Sequence, residues 1–210
     1  MLKKYKKTLI LTSVLILMPM LVGFLLWDKL PAEMATHFNA QGEVDGWSSK
    51  LFAVAGLPFF LLAVHWICFW GTSNDPKREK ISDKVFGLVL WVCPIVSIMM
   101  MGATYMYSLG MPVDITMIGK LFCAVVFLVV GNYLPKSRQN YTVGIKIPWT
   151  LADENNWNRT HRFGGKMFMA MGLVFLLDIF LKTNWLIVVA MILAAVVPMV
   201  YSFAIFKGWI

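Results

Sequence analysis

Charge is scarce in this chain of 210 residues: 14% of them are Asp, Glu, Lys or Arg, against about 25% in an ordinary soluble domain. That scarcity excludes a solvated surface of the usual kind, and with 59% hydrophobic residues it excludes disorder as well. Cysteine is scarce too. Three in the whole chain do not make a disulfide scaffold, and Cys68, Cys93 and Cys123 each sit inside an apolar run, where they read as small apolar residues. Low-complexity tracts and internal repeats are missing, so an inverted-repeat transporter is not supported. No HExxH, GxSxG or Cys–His pattern occurs, so no catalytic residue, metal ligand set or cofactor site is assigned.

What is present is long apolar runs. Six of them, at Thr8–Trp27, Leu51–Trp70, Val85–Tyr107, Ile115–Leu134, Met167–Leu181 and Trp185–Phe206, approach the roughly 20 residues that cross a hydrocarbon core of about 30 Å as a helix. They are apolar on all sides, which excludes the alternation of a membrane β-barrel. The fold class is therefore all-α: a polytopic membrane protein, a bundle of six transmembrane helices. The first run has a basic flank like a signal peptide, but it is too long and lacks a small-x-small cleavage site, so it is read as a retained helix.

The formal net charge is +8. In a membrane protein such an excess reports topology before it suggests nucleic acid. Lys3, Lys4, Lys6 and Lys7 precede the first span. Lys77, Arg78, Lys80 and Lys84 lie between the second and third. Lys136, Arg138, Lys146, Arg159, Arg162 and Lys166 lie between the fourth and fifth, and Lys207 follows the sixth. The other face holds only Lys29, Lys50 and Lys182. Both termini are expected to be cytoplasmic, in a multi-pass membrane protein.

Two loops exceed simple connections. The external one, Asp28–Lys50, holds His37, Phe38, Asn39, Glu43, Asp45 and Trp47. Asp45-Gly46 beside Trp47 predicts a tight turn with an aromatic anchor at the membrane interface, and the loop reads either as a cap packed on itself or as a site for an outside ligand. The spacing of His37 with Glu43 or Asp45 matches no zinc or calcium motif. The cytoplasmic loop, Pro135–Lys166, carries Asn140, Tyr141, Gly144, Lys146, Pro148, Trp149 and Thr150, then Trp157, Thr160 and His161. Thr150 or Asp153 is expected to cap a short helix over Glu154–Arg162, with Trp157 and His161 on one face. Two readings stand: an interfacial anchor, with Trp149 and Trp157 in the headgroup layer and Arg159, Arg162 and Lys166 toward anionic lipid, or a docking surface for a cytosolic partner.

Charges inside spans invite a functional hypothesis. Lys120 and Asp178 both fall in the outer third of their helices, and they either pair with each other or snorkel separately to the interface. His65, in the inner third of the second span, reads as a hydrogen-bonded structural histidine.

At the two loops the chain resembles the SdpI immunity proteins of Gram-positive bacteria. The cytoplasmic resemblance runs over GNYLPKSRQNYTVGIKIPWTL (Gly131–Leu151), Trp157 and THRFGGK (Thr160–Lys166). The external stretch LPAEMATHFNAQGEVDGWSSK (Leu30–Lys50) is similar to a domain of unknown function that commonly precedes the SdpI region. The implied division is 1–84, a two-helix unit with the external HFNxxGxxDGW loop, and 85–210, a four-helix SdpI-like region. Against the family run, close to PNYxxGIRTPWTL, Gln139 stands for Pro, Lys146 for Arg and Ile147 for Thr. Lys keeps the charge at that position but not the planar fork.

The resemblance implies immunity to a secreted antimicrobial peptide toxin, and in a signalling member, retention of a cytosolic ArsR-like autorepressor at the membrane. The expected partners are thus membrane lipid, the toxin and that repressor, with no direct nucleic acid and no cofactor. His37, Phe38, Asn39, Asp45 and Trp47 would face the toxin, and Asn140, Tyr141, Gly144, Lys146, Pro148, Trp149, Thr150, Trp157, Thr160 and His161 the repressor. Two other classes remain open from the residues alone: a small proton-coupled transporter or exporter using Lys120, Asp178 and His65, and a membrane hydrolase using His161, Glu154 and Asp153.

Overall fold

A computed structural model describes residues 2–210. Among the described residues six helices are long and apolar enough to cross a membrane: Leu2–Leu25, Phe52–Ser73, Asp83–Ser108, Ile115–Lys136, Glu154–Leu181 and Trp185–Phe206. The chain is an all-α, multi-pass membrane protein with one small β element. We number the helices α1 (Leu2–Leu25), α2 (Leu57–Ser73, entered through a π-helical turn at Phe52–Gly56), α3 (Asp83–Ser108), α4 (Ile115–Tyr133), α5 (Pro148–Ala152), α6 (Glu154–Leu181) and α7 (Trp185–Phe206). The strands are β1 (Glu33–Phe38) and β2 (Val44–Ser49).

The chain divides into two compact units, Met1–Ser73 with Phe86–Thr116, and Asn74–Val85 with Met117–Ile210. The first holds α1, the hairpin, α2 and most of α3. Its helices are tied by polar side chains that donate to backbone rather than to lipid, as a hydrocarbon setting requires. Ser97 Oγ donates to the Ile16 carbonyl at 2.8 Å and Tyr105 OH to the Pro19 carbonyl at 2.9 Å. His65 is fully buried, with Nε2 at 3.0 Å from Thr12 Oγ1, the structural role expected of it.

In the second unit α4 and α6 approach closely. A Cβ on Gly165 would lie 2.7 Å from the Gly131 carbonyl oxygen, and one on Gly131 2.8 Å from the Gly165 oxygen. One heptad away, a Cβ on Gly172 would lie 2.9 Å from the Ala124 oxygen. Small residues at seven-residue spacing on both helices let the backbones touch, the usual way helices gain packing in lipid. Around this seam Ala124, Met171, Phe175, Ile187 and Ala194 form a buried cluster, with Phe127 stacked on Phe175 at 5.7 Å.

The expectation of a separate helix at Glu154–Arg162 ahead of a span from Met167 is corrected: α6 is one helix of 28 residues. Asp153 caps it, its carboxylate accepting from the amides of Asn155 and Asn156 at 3.0 Å each. Gly164 and Gly165 are packing positions inside the helix.

Candidate functional site

The loop at Asp28–Lys50 is a β-hairpin. Its antiparallel pairing sets Glu33 against Ser49, Ala35 against Trp47 and His37 against Gly46, with Thr36 bulged. The turn is not at Asp45-Gly46, which lies within β2, but at Asn39–Gly42. There the Gly42 amide donates to the Asn39 carbonyl at 3.0 Å, and Asn39 Oδ1 accepts from the amides of Gln41 and Glu43 at 2.9 Å each. Asn competes for this position because its short side chain imitates a backbone turn. Gly46 is needed for close approach instead, since a Cβ there would meet the His37 Cβ at 2.8 Å.

One side of the hairpin is packed. Met34 is buried with Leu30, Ala53, Val54, Met101 and Tyr105, Ala35 is buried beside it, and Phe38 sits edge-on to Tyr107 at 5.2 Å. The other side is open. His37 and Asp45 form an exposed pair, Nδ1 to Oδ1 at 2.5 Å, and Trp47 is 56% exposed without a ring partner. Of the five outer candidates, His37, Asp45 and Trp47 thus lie at the surface, Phe38 is a half-buried anchor, and Asn39 builds the turn.

The segment between α4 and α6 is built in the opposite sense, from buried polar side chains bonded to backbone. Asn140 is fully buried. Its Oδ1 accepts from the amides of Thr142 and Val143 at 2.9 and 2.7 Å, and its Nδ2 donates to the carbonyls of Arg138 and Val143 at 2.8 and 3.0 Å. Thr150 Oγ1 takes the Ile147 amide at 3.1 Å and reaches the Ile145 carbonyl at 2.8 Å, so the short helix α5 starts at Pro148, a position where the missing N–H costs nothing. Trp157 and His161, one turn apart on α6, stack at 3.9 Å and are both fully buried. Trp157 Nε1 donates to the Ser137 carbonyl at 2.8 Å. This corrects the expectation that Trp157 rests in the headgroup layer.

His161 joins the loop to α6 through both ring nitrogens. The Ile145 amide donates to Nε2 at 2.9 Å, and Nδ1 lies 2.8 Å from the Trp157 carbonyl. Only the neutral ring with its proton on Nδ1 satisfies both bonds. Gly144, at φ +134°, passes against this pair; a Cβ there would collide with His161 Nε2 and come within 2.9 Å of Trp157. Thr160 Oγ1 donates to Asn156 Oδ1 at 2.9 Å, while Asn156 Nδ2 reaches the Ser202 carbonyl on α7 at 2.9 Å. Trp149 is half-buried against Phe203 and Phe206, at 5.4 and 5.9 Å. Tyr141, Lys146 and Pro148 are exposed.

Two residues outside the candidate set complete this network. Asp75 is 6% exposed. Its carboxylate accepts from the Tyr141 amide at 2.9 Å, from the Lys77 amide at 2.7 Å and from the Thr142 hydroxyl. The Asn74-Asp75-Pro76 turn pattern was its only sequence signal. Gln139, where the family run has Pro, donates to the carbonyls of Thr150 and Leu151 at 3.0 and 2.9 Å and accepts from Lys77 Nζ at 2.5 Å. A proline has no side-chain amide to do this.

Lys120 and Asp178 pair. Nζ lies 2.8 Å from Oδ2, with side-chain exposures of 8% and 0%, so the snorkelling alternative does not hold. Asp178 also accepts from the Thr183 amide and hydroxyl and from the Asn184 amide, at 3.1, 2.5 and 3.3 Å, which fixes the turn between α6 and α7.

Comparison with known proteins agrees with this organisation. Residues 136–202 match the SdpI/YfhL protein family, and residues 14–62 match a domain of unknown function, DUF1648. The Immunity protein SdpI of Bacillus subtilis (strain 168) is 22% identical over 205 residues, which cover 94% of this chain and 95% of that protein. No solved structure matches the chain. The loop residues 137–161 fall inside the SdpI match and the hairpin inside the DUF1648 match, so the chain is similar to SdpI-family proteins at both of its long loops.

Proposed function

We propose that this chain is an immunity protein of a bacterial plasma membrane, protecting its host against a secreted antimicrobial peptide toxin. The observation that carries the reading is the nearly full-length similarity to a protein named for immunity. The hairpin is the toxin-facing element in this proposal, and the open His37–Asp45 pair and the exposed Trp47 ring offer a polar and an aromatic contact to an amphipathic peptide. Deleting the gene from its own host tests the reading. Spent medium from the parent culture should then kill the deleted strain, and re-expression should restore survival. Equal survival with and without the gene would refute it.

In the same proposal the segment between α4 and α6 recruits a cytosolic ArsR-like repressor when toxin is present. Its support is the division of that segment into a bonded interior and a small exposed set, Tyr141, Lys146 and Pro148. Recruitment is read as repressor in the membrane fraction. Tyr141→Ala with Lys146→Gln should lower it at equal protein amount and leave survival unchanged.

A further inference from the structure

Arg159, Arg162 and Lys166 stand three and four residues apart on α6, which places them along one helix face. With Phe163 and with Tyr201 of α7 they line a cavity of about 230 Å³. Its floor is aromatic, Phe163 and Tyr201 stacking at 4.5 Å and 23°. Among the described residues no acidic side chain pairs with any of the three cations; the one polar contact is from Arg159 to the Ile210 backbone carbonyl, at 3.4 Å.

Three cations lining one cavity with no acidic side chain paired to them are costly to hold together unless an anion joins them. The location says which one. From Met167 to Leu181 α6 is apolar except for Asp178, so Lys166 and Arg162 stand where the hydrocarbon ends on the basic side of the chain and the headgroups begin. Guanidinium groups bind phosphate oxygens in pairs, and a stacked aromatic floor next to them suits the glycerol and upper acyl region. We propose that this cavity between α6 and α7 is a binding site for one anionic phospholipid, its phosphate held by Arg159, Arg162 and Lys166.

The test is lipid retention by the full-length protein in mild detergent, counted by native mass spectrometry during titration with phosphatidylglycerol or phosphatidylcholine. Phosphatidylglycerol should be retained and phosphatidylcholine lost. Removing two cations with Arg162→Gln and Lys166→Gln should weaken phosphatidylglycerol binding about thirtyfold, at about fivefold for each basic residue at the membrane surface. Lys3→Gln with Lys7→Gln removes the same charge from exposed positions of α1 and should change binding less than about threefold. The exchange Arg162→Lys with Lys166→Arg keeps the charge and should keep the lipid, which separates binding from folding. Equal retention of both lipids would overturn the proposal, and so would equal weakening in the two neutralised variants. Displacement of the lipid by millimolar inorganic phosphate would assign the cavity to a soluble anion instead.

Discussion

The pair of Lys120 and Asp178 permits a sharp energetic test. Its surroundings are unequal. Without Lys120, the Asp178 carboxylate still accepts from Thr183 N, Thr183 Oγ1 and Asn184 N. Without the carboxylate charge, the Lys120 ammonium keeps only the Asp178 backbone carbonyl, at 3.3 Å. Breaking a buried pair costs about 3–5 kcal/mol. Lys120→Met should therefore fall near the low end, about 3 kcal/mol, and Asp178→Asn, which preserves the turn contacts to Thr183, near the high end, about 5 kcal/mol. The double variant leaves no charge behind and should cost only about 1–2 kcal/mol, since neutral replacements of a buried pair are often tolerated. The four proteins are compared by reversible unfolding in mixed micelles of rising SDS fraction. The coupling expected from these figures is about 6–7 kcal/mol, well above the roughly 0.6 kcal/mol average for polar contacts between membrane helices. Additive single effects, within about 0.5 kcal/mol, would show that the two side chains act independently and would refute the reasoning.

Three further outcomes follow from named contacts. Gly144→Ala adds a Cβ at φ +134° against His161 and Trp157; it should destabilise by roughly 3 kcal/mol and open residues 135–148 to protease, whereas Gly71→Ala on α2, with nothing within 4 Å, should be neutral or slightly stabilising. Asp75→Ala removes the acceptor for the Tyr141 amide and the Thr142 hydroxyl, so hydrogen exchange at Tyr141 should speed up about thirtyfold or more, as a loss of about 2 kcal/mol implies, while Ile187 amide exchange stays unchanged. Gln41→Cys, at the hairpin tip, should react with an impermeant maleimide on intact cells; reaction only after permeabilisation would invert the topology.

The spans were legible because a helix in lipid needs length and apolarity, and both are local properties of sequence. The fifth span shows the limit. Arg159, Arg162, Lys166 and the Gly164-Gly165 pair break the apolar run, but none of them breaks the helix, because Asp153 caps it and α4 packs on Gly165. The hairpin escaped notice for a different reason: Asp45-Gly46 is a strong turn signal, and the Asn39 side chain, bonded to two amides, outweighed it. In the 135–166 segment the resemblance singled out Asn140, Thr150, Thr160 and His161 as docking residues, polar types that composition assigns to a surface, yet all four are buried. Their burial goes with contacts distant in sequence: Asn156, which Thr160 bonds, reaches the Ser202 carbonyl 46 residues away, and Asp75 beside them accepts from Tyr141 across 66 residues, and no local pattern encodes contacts of that range.

That burial constrains how the proposed repressor recruitment operates. Each of the buried bonds around Asn140, Thr150 and His161 contributes about 0.5–1.5 kcal/mol, and leaving one buried group unpaired costs about 1–3 kcal/mol. A signal that loosened one residue would orphan its partners: tilting His161 strands the Ile145 amide, and moving Ile145 disturbs the carbonyl that Thr150 binds. The framework therefore yields as a unit or not at all. An intact framework still presents Tyr141, Lys146 and Pro148, and Lys77 Nζ holds the Tyr141 ring from 5.2 Å while also bonding Gln139. Shifting Lys77 releases one cation–π contact of about 0.5–1 kcal/mol together with its bond to Gln139, and turns an exposed ring while the bonds of Asn140, Thr150 and His161 stay made. The rim costs less to move than the interior, so a switch in this segment, if toxin drives one, operates through Lys77 and Tyr141 rather than through His161.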